Sequence, residues 1–583
     1  MDAVHHRIEA ADRHAHLFRV TLTLAAPQAD QIVSLPVWIP GSYLVREFAR
    51  HLQHLRARQG RRTVAVQQLD KCSWRVACRA GSPLVLSYEV YAFDPSVRAA
   101  WLGQDRAFFN GTSLCLRVHG QEATPHTLQV PPVAGCPHWQ LATGLEPVAT
   151  DARGFGVYRA ADYDELVDCP VEMGAFWSGE FKACGVVHQL VVSGAPPSFD
   201  SARLLADTQK ICETEIRFWH GKGAAAGKKA PHQRYVFMLN VVEDGYGGLE
   251  HRNSTALICS RPDLPRLGEA KTSDGYTTLL GLISHEYFHT WNVKRLRPAE
   301  FARYDYTQEN YTELLWFFEG FTSYYDDLLL LRAGLIDQNK YLELLSKTAN
   351  GVAQSPGRQV QSVAQASFDA WVKYYRQDEN TANATVNYYA KGALVALCLD
   401  LALRLEGSDL DSVMRGLWRR CRGGPLREQD LLDELHARTG RSWAPDIAHW
   451  VHSTEELPLA RLLQAHGVAV DVDSASLAQR LGVRVTEAGG VRIKTVLRHS
   501  AAERAGLCAG DEWLGVYTTG RAPQGWRIRK LDDIPALLGK PSAFTVLVAR
   551  DQRLLSLPLE LGAPVSVWTL KAESDRSSRW PRI

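Results

Sequence analysis

"SHEYFHTWNVK", residues 284–294, places two histidines four apart with a glutamate directly after the first. On a helix, residues four apart share a face, so His285 and His289 can reach one cation. Glu286 lies about 100° round the helix from His285. From there it can reach a water on that cation without taking a ligand position. The flanks "TLLGLIS" and "YF" predict a buried helix. Two core or solvated histidines would show the same spacing, so a metal site needs a third ligand elsewhere.

Catalytic zinc usually takes three protein ligands and keeps a position for water. "LLWFFEGFTSYY" (314–325) supplies Glu319, a lone carboxylate beside Gly320 in a strongly apolar stretch. Among Trp316, Phe317, Phe318 and Phe321 such a charge is costly unless it is paired or metal-bound. Residues 290–318 leave ample chain for a turn and a returning helix. The expected site is therefore one zinc ion per chain on His285, His289 and Glu319. Four residues after Glu319 stands Ser323, so no carboxylate at that spacing can orient a histidine.

The rest of the chain bounds what surrounds this site. A length of 583 residues implies two to four domains. The balance 66 − 64 = +2 argues against nucleic acid or an anionic membrane as the main partner. Eleven scattered cysteines without CxxC pairs read as reduced thiols, and the first twenty residues carry no charged-then-apolar leader pattern. Cytoplasmic location is expected. "GALVALCLDLALRL" (392–405) is interrupted by Asp400 and Arg404 and is read as too short to span a bilayer.

The first 172 residues read as a β-rich domain. "LFRVTLTL" alternates Phe18, Val20, Leu22 and Leu24 with polar residues, and "PLVLSYEVYAF" (83–93) repeats the pattern. From about 200 to 460 the pattern turns helical. "TELLWFFEGFTSYYDDLLLLRAG" should stop at Gly334, and "NYYAKGALVALCLDLALRLEG" at Gly407. "GKGAAAGKKAP" (221–231) reads as a mobile loop. After residue 462 short strands return, in "GVRIKTVL" and "AFTVLVARDQRLLSLPLEL", and the polar stretch "KAESDRSSRWPRI" is expected to fray.

HExxH followed by Glu–Gly on a later aromatic helix resembles the gluzincin metallopeptidases. "SHEYFHTWNVKRLRP", "LLWFFEGFTSYY", "NYYAKGA" and "LPVWIPGSYLVREFARHL" (35–52) together resemble the glycyl aminopeptidase family, whose members carry a C-terminal PDZ domain. The resemblance implies a multidomain α+β fold. Its parts would be an N-terminal β-rich domain (1–172), a thermolysin-like, mainly helical catalytic domain (173–462), a PDZ domain (463–565) and a tail (566–583).

It also implies roles. Zinc lowers the pKa of a bound water to about 7, and Glu286 is placed to take its proton. Tyr389, in a Tyr-x-Lys-Gly context like that of related aminopeptidases, would donate to the oxyanion. Tyr388 is about 100° away on the same helix, so only one of the two can serve. "RYVFMLNVVEDGYGGLEHRNS" reads as a strand (234–242), a glycine-rich turn and then Glu250. Gly247, Gly248 and Glu250 match a Gly-x-Met-Glu-like segment, which in related aminopeptidases lies on the edge strand beside the zinc, with Leu249 in place of Met. The glycines would admit substrate backbone and Glu250 would hold a free α-ammonium.

"SAAERAGLCAGDEWLGV" (500–516) resembles a PDZ pattern in which Gly506 and Gly510 set turns and Asp511 starts a strand. "LGVRV" (481–485) would receive a peptide C-terminus, unless the module only packs on the catalytic domain. The family resemblance implies zinc-dependent release of small N-terminal residues, glycine and alanine, from peptides with a free N-terminus. The alternatives are a broader aminopeptidase, an endopeptidase, or an inactive PDZ-containing scaffold. Retention of His285, Glu286, His289 and Glu319 together argues against the last.

Overall fold

The structure, a computed structural model, describes residues 3–221, 227–518, 523–539, 541–562 and 565–573. The chain packs as two compact units. One comprises Met1–Tyr311, Tyr325–Ile336 and Asp411–Leu431; the other comprises Thr312–Tyr324, Asp337–Leu410 and Leu432–Ile583. This partition cuts across the sequence-order domains, because the helix Leu315–Arg332 runs through both units.

In the first unit, period-two sequences build sheets as alternation requires. The hairpin Val4–Asp12 and Leu17–Leu24 forms the middle of an eight-stranded sheet. Phe18, Val20, Leu22 and Leu24 all point into the core. Two four-stranded sheets complete the β-rich part. Its core is continuous with Val191, Val236, Met238, Leu249 and Ala256 of a following five-stranded sheet. That sheet is ordered Trp177–Ala183, Val186–Ser193, Arg234–Val242, Ser254–Ser260, Gly247–Glu250.

Gly247 and Gly248 lie on the edge strand that the family resemblance implies, and not in the glycine-rich turn before it. They open the edge strand Gly247–Glu250, which pairs antiparallel with Ser254–Ser260 in the register Gly248↔Leu257 and Glu250↔Thr255. The ladder to Ser254–Ser260 extends the segment, and glycine suits its close approach to the histidine helix. A Cβ at Gly248 would collide with the Glu286 side chain as it is placed here, so glycine lets this strand pass close to it.

The helix Asp274–Phe288 is capped by Ser273, whose hydroxyl accepts from Tyr276 N at 3.0 Å. In the second unit, the helix Tyr388–Leu405 is capped by Asn387, which accepts from Ala390 N at 3.1 Å. Gly334 and Gly407, at φ 70° and 77°, follow the two predicted helix ends. The span Thr381–Leu405 is 25 residues and apolar enough by composition to cross a membrane, so the length argument against a membrane does not hold. Burial explains its character instead: 78% of its apolar window is inside the protein.

The C-terminal part has its own apolar core around Trp513, Val516, Val546 and Val548. Strands Val483–Thr486, Val491–Val496, Glu512–Tyr517, Ala543–Arg550 and Arg553–Glu560 are joined in that sheet, with Gly506 and Gly510 at positive φ in the turns. The start of the expected tail is structured. Ser566–Ala572 pairs with Val468–Ser474, and Asn350 on a neighbouring helix donates to Trp568 O at 2.8 Å. In this strand Trp568 and Leu570 share one apolar face, and the polar stretch expected to fray begins only at Lys571. Residues 574–583 lie outside the described residues, as do 222–226 of the expected loop; Gly227–Lys229 is a short 3₁₀ turn.

Candidate metal centre and peptide site

His285 and His289 leave the end of their helix with both rings committed in the same way. Nδ1 of His285 lies 3.1 Å from Asp326 Oδ2, and Nδ1 of His289 lies 2.8 Å from the Asn292 carbonyl. With Nδ1 donating in each, both Nε2 atoms present acceptor lone pairs, and these two atoms face each other at 3.0 Å. Such an approach between two acceptors suits a shared cation. Asp326 stands on the helix Leu315–Arg332 two turns after Glu319. One donor atom each from His285, His289 and Glu319 lies within 4.8 Å of the others. The donor set, two imidazoles and a carboxylate, is that of catalytic zinc.

Several groups hold this geometry. Ser284 Oγ lies 3.0 Å from both Glu215 Oε1 and the Asp326 carbonyl, tying the histidine helix to its neighbours. Burial raises Glu215 well above the ordinary carboxylate value. Beyond His289 the chain turns through Val293 at φ 152°, a conformation that β-branched residues rarely adopt. Asp168 restrains that turn, accepting from Lys294 Nζ at 2.7 Å and from Arg252 Nε at 3.0 Å, with His251 Nδ1 at 3.1 Å. Burial alone would raise the Asp168 carboxyl, but Lys294, His251 and Arg252 together hold it well below the usual range. Through Asp168 the turn after the histidines and the residues after Glu250 share one anchor.

Glu286 and Glu250 are both buried, and both belong to the first unit with the edge strand. Gly248 passes against Glu286. A Cβ at Gly41, which has φ +92°, would lie 2.5 Å from Glu250 Oε1. The "WIPGSY" segment thus closes over the Glu250 carboxylate, and it is held there by Trp38 Nε1 donating to Asp305 O at 2.8 Å.

In the second unit the helices of Glu319 and Tyr389 touch through glycine. A Cβ at Gly320 would stand 2.5 Å from Gly392 Cα, and one at Gly392 2.5 Å from Trp316 O. Tyr389 is one turn before Gly392. Its hydroxyl is 3.0 Å from Tyr375 Oη, while Tyr388 is wholly buried. Burial, then the Glu319 charge, raises the Tyr389 phenol well above its ordinary value, so it is a proton donor at neutral pH.

Comparison with known proteins agrees with this chemistry. Residues 5–175 match the peptidase M61 N-terminal domain and residues 278–395 the M61 glycyl aminopeptidase model. An aminopeptidase N family protein from Idiomarina loihiensis is 38% identical over 98% of both chains, with a TM-score of 0.91. The chain belongs to the M61 glycyl aminopeptidase family. Less similar is an M1 zinc metallopeptidase from Deinococcus radiodurans, 16% identical, TM-score 0.49, covering 79% of this chain and 95% of that one. No curated protein matches the chain. This M61 enzyme is a metallopeptidase whose substrates are peptides, and His285, His289 and Glu319 are its candidate zinc ligands.

Sequence reasoning missed Asp326, although its signal was present. It looked for an orienting carboxylate four residues after Glu319 and found Ser323, whereas the carboxylate stands seven after, again on the same helical face. Replacing Asp326 by Ala in the M61 enzyme is expected to weaken zinc affinity about 10- to 100-fold, read by chelator competition. Unchanged affinity would show that His285 needs no such partner.

Proposed function

We propose that the protein is a zinc aminopeptidase that releases N-terminal glycine, and alanine less readily, from peptides. The observation that supports this reading most directly is the placing of two buried carboxylates along one short edge strand. Glu250 ends the strand, and Glu286 lies against Gly248 two residues earlier. A peptide that adds antiparallel to this strand, with its α-ammonium on Glu250, brings its first peptide bond beside Glu286.

Zinc on His285, His289 and Glu319 would polarise that carbonyl and acidify a water. Glu286 takes the proton of the attacking water and passes it to the departing amine. Tyr389, rather than Tyr388, is assigned as the donor to the oxyanion, because Tyr388 is sealed in the core. Gly41 supports the preference for a small first residue, since its backbone closes directly on the amine-binding carboxylate.

The test combines metal and turnover. About one zinc per chain is expected, falling on Glu319→Ala, with glycyl anilide cleaved far faster than leucyl anilide. Tyr389→Phe should lower kcat more than it changes KM, and Tyr388→Phe should not. Comparable turnover of the leucyl substrate would leave a broader aminopeptidase.

We read the C-terminal module as a PDZ domain, since the helix Leu477–Leu481, Gly482 in the left-handed region and the edge strand Val483–Thr486 follow one another as a carboxylate-binding loop and strand would. A peptide with a free C-terminus should bind the full chain, and amidation should abolish binding.

A further inference from the structure

Arg98 stands beside the peptide strand and has no role in the chemistry above. Its guanidinium Nη1 lies 3.8 Å from where a Cβ on Gly247 would be, and Nη2 donates to the Gly248 carbonyl at 3.4 Å, a long bond. Nε is buried without a partner, and among the described residues Arg98 forms no ion pair. A half-buried guanidinium normally has a carboxylate or phosphate on its fork.

Its backbone, by contrast, is firmly held. The buried side chain of Asn110 donates to the carbonyls on either side, Val97 O at 2.8 Å and Ala99 O at 3.2 Å. The loop is built to present this cation at one place. That place is the start of the edge strand, and Glu250 is its end.

Gly247 to Glu250 spans about 10 Å of extended chain, at about 3.4 Å per residue. Glu286 faces the strand between the two ends, at Gly248. A peptide with its ammonium on Glu250 and its first bond at Glu286 therefore reaches Arg98 with its second or third residue. The geometry points to Arg98 as the site that binds the C-terminal carboxylate of a di- or tripeptide. This inference rests on the aminopeptidase reading and narrows it: the preferred substrates are short free peptides, held at both charged ends. Arg98 matches a carboxylate bidentately, and the two anchors set the register of the scissile bond.

The test compares glycyl-alanine and glycyl-glycyl-alanine with their C-terminal amides, and a glycyl hexapeptide acid with its amide. For the two short substrates the wild type should favour the acid at least tenfold in kcat/KM, mainly through KM. For the hexapeptide, whose carboxylate lies beyond Arg98, acid and amide should be equal. In Arg98→Gln the short-substrate ratio should fall towards one, and Arg98→Lys should retain part of it. A wild-type ratio near one, a ratio independent of length, or a ratio unchanged in Arg98→Gln would each overturn the assignment. The comparison of lengths needs no variant, so it stands even if Arg98→Gln fails to fold. Failure of the aminopeptidase reading looks different, because no free-amine substrate would then be favoured over its N-acetylated form.

Discussion

Glu286→Gln is expected to keep the fold and the zinc while turnover falls by about a hundred- to ten-thousand-fold. The substitution preserves size beside Gly248, which has no side chain and leaves no room for a bulkier neighbour. It removes only the ability to accept a proton. Glu286 is not among the three clustered donor atoms, so elemental analysis should show unchanged zinc. The loss should appear in kcat rather than in KM, since proton transfer is made in the transition state and contributes little to ground-state binding. A variant that kept its zinc and near-normal turnover would take the general-base role away from Glu286. A variant that lost its zinc would make Glu286 part of the metal's support.

Glu250→Ala should separate exopeptidase from endopeptidase action. The Glu250 carboxylate is buried beneath Gly41, and an α-ammonium bound there would form a charge-assisted bond worth about 1.5–3 kcal/mol. Its removal should lower kcat/KM on glycyl anilide about 10- to 100-fold or more. The N-acetylated anilide lacks the charge; it should be a very poor substrate for the wild type and little affected by the change. Efficient wild-type cleavage of the acetylated substrate would overturn the aminopeptidase reading and leave an endopeptidase on the same metal centre. Zinc content guards the interpretation, because loss of both activities together with the metal would make Glu250 structural.

Sequence periodicity carried much of this architecture. The alternation of Phe18, Val20, Leu22 and Leu24 became a buried strand face, and Arg234–Val242 is the strand expected. Periodicity failed where pairing between segments decides. Gly247 and Gly248 carry the turn signal of any Gly–Gly pair, yet they pair with Ser254–Ser260 as an edge strand, as the family resemblance implies and local pattern does not. The start of the presumed tail failed for a related reason: Ser566–Ala572 becomes a strand only because Val468–Ser474 lies alongside to pair with it.

By itself the sequence pointed to the family and to His285, His289 and Glu319 as candidate metal ligands, which the structure brings together. Those follow from local rules: a one-turn spacing brings two histidines to one face, and a lone carboxylate among aromatic residues demands a cation. Only the tertiary structure decided which distant residues meet. Asp326 meets His285 from 41 residues away, Arg98 meets Gly248 from 150 away, and Gly41 meets Glu250 from a distant turn. It also chose between neighbours, burying Tyr388 and leaving Tyr389 beside Tyr375. Helix and strand periods determine which face a residue shares with its near neighbours, whereas contacts between distant segments depend on how whole elements pack.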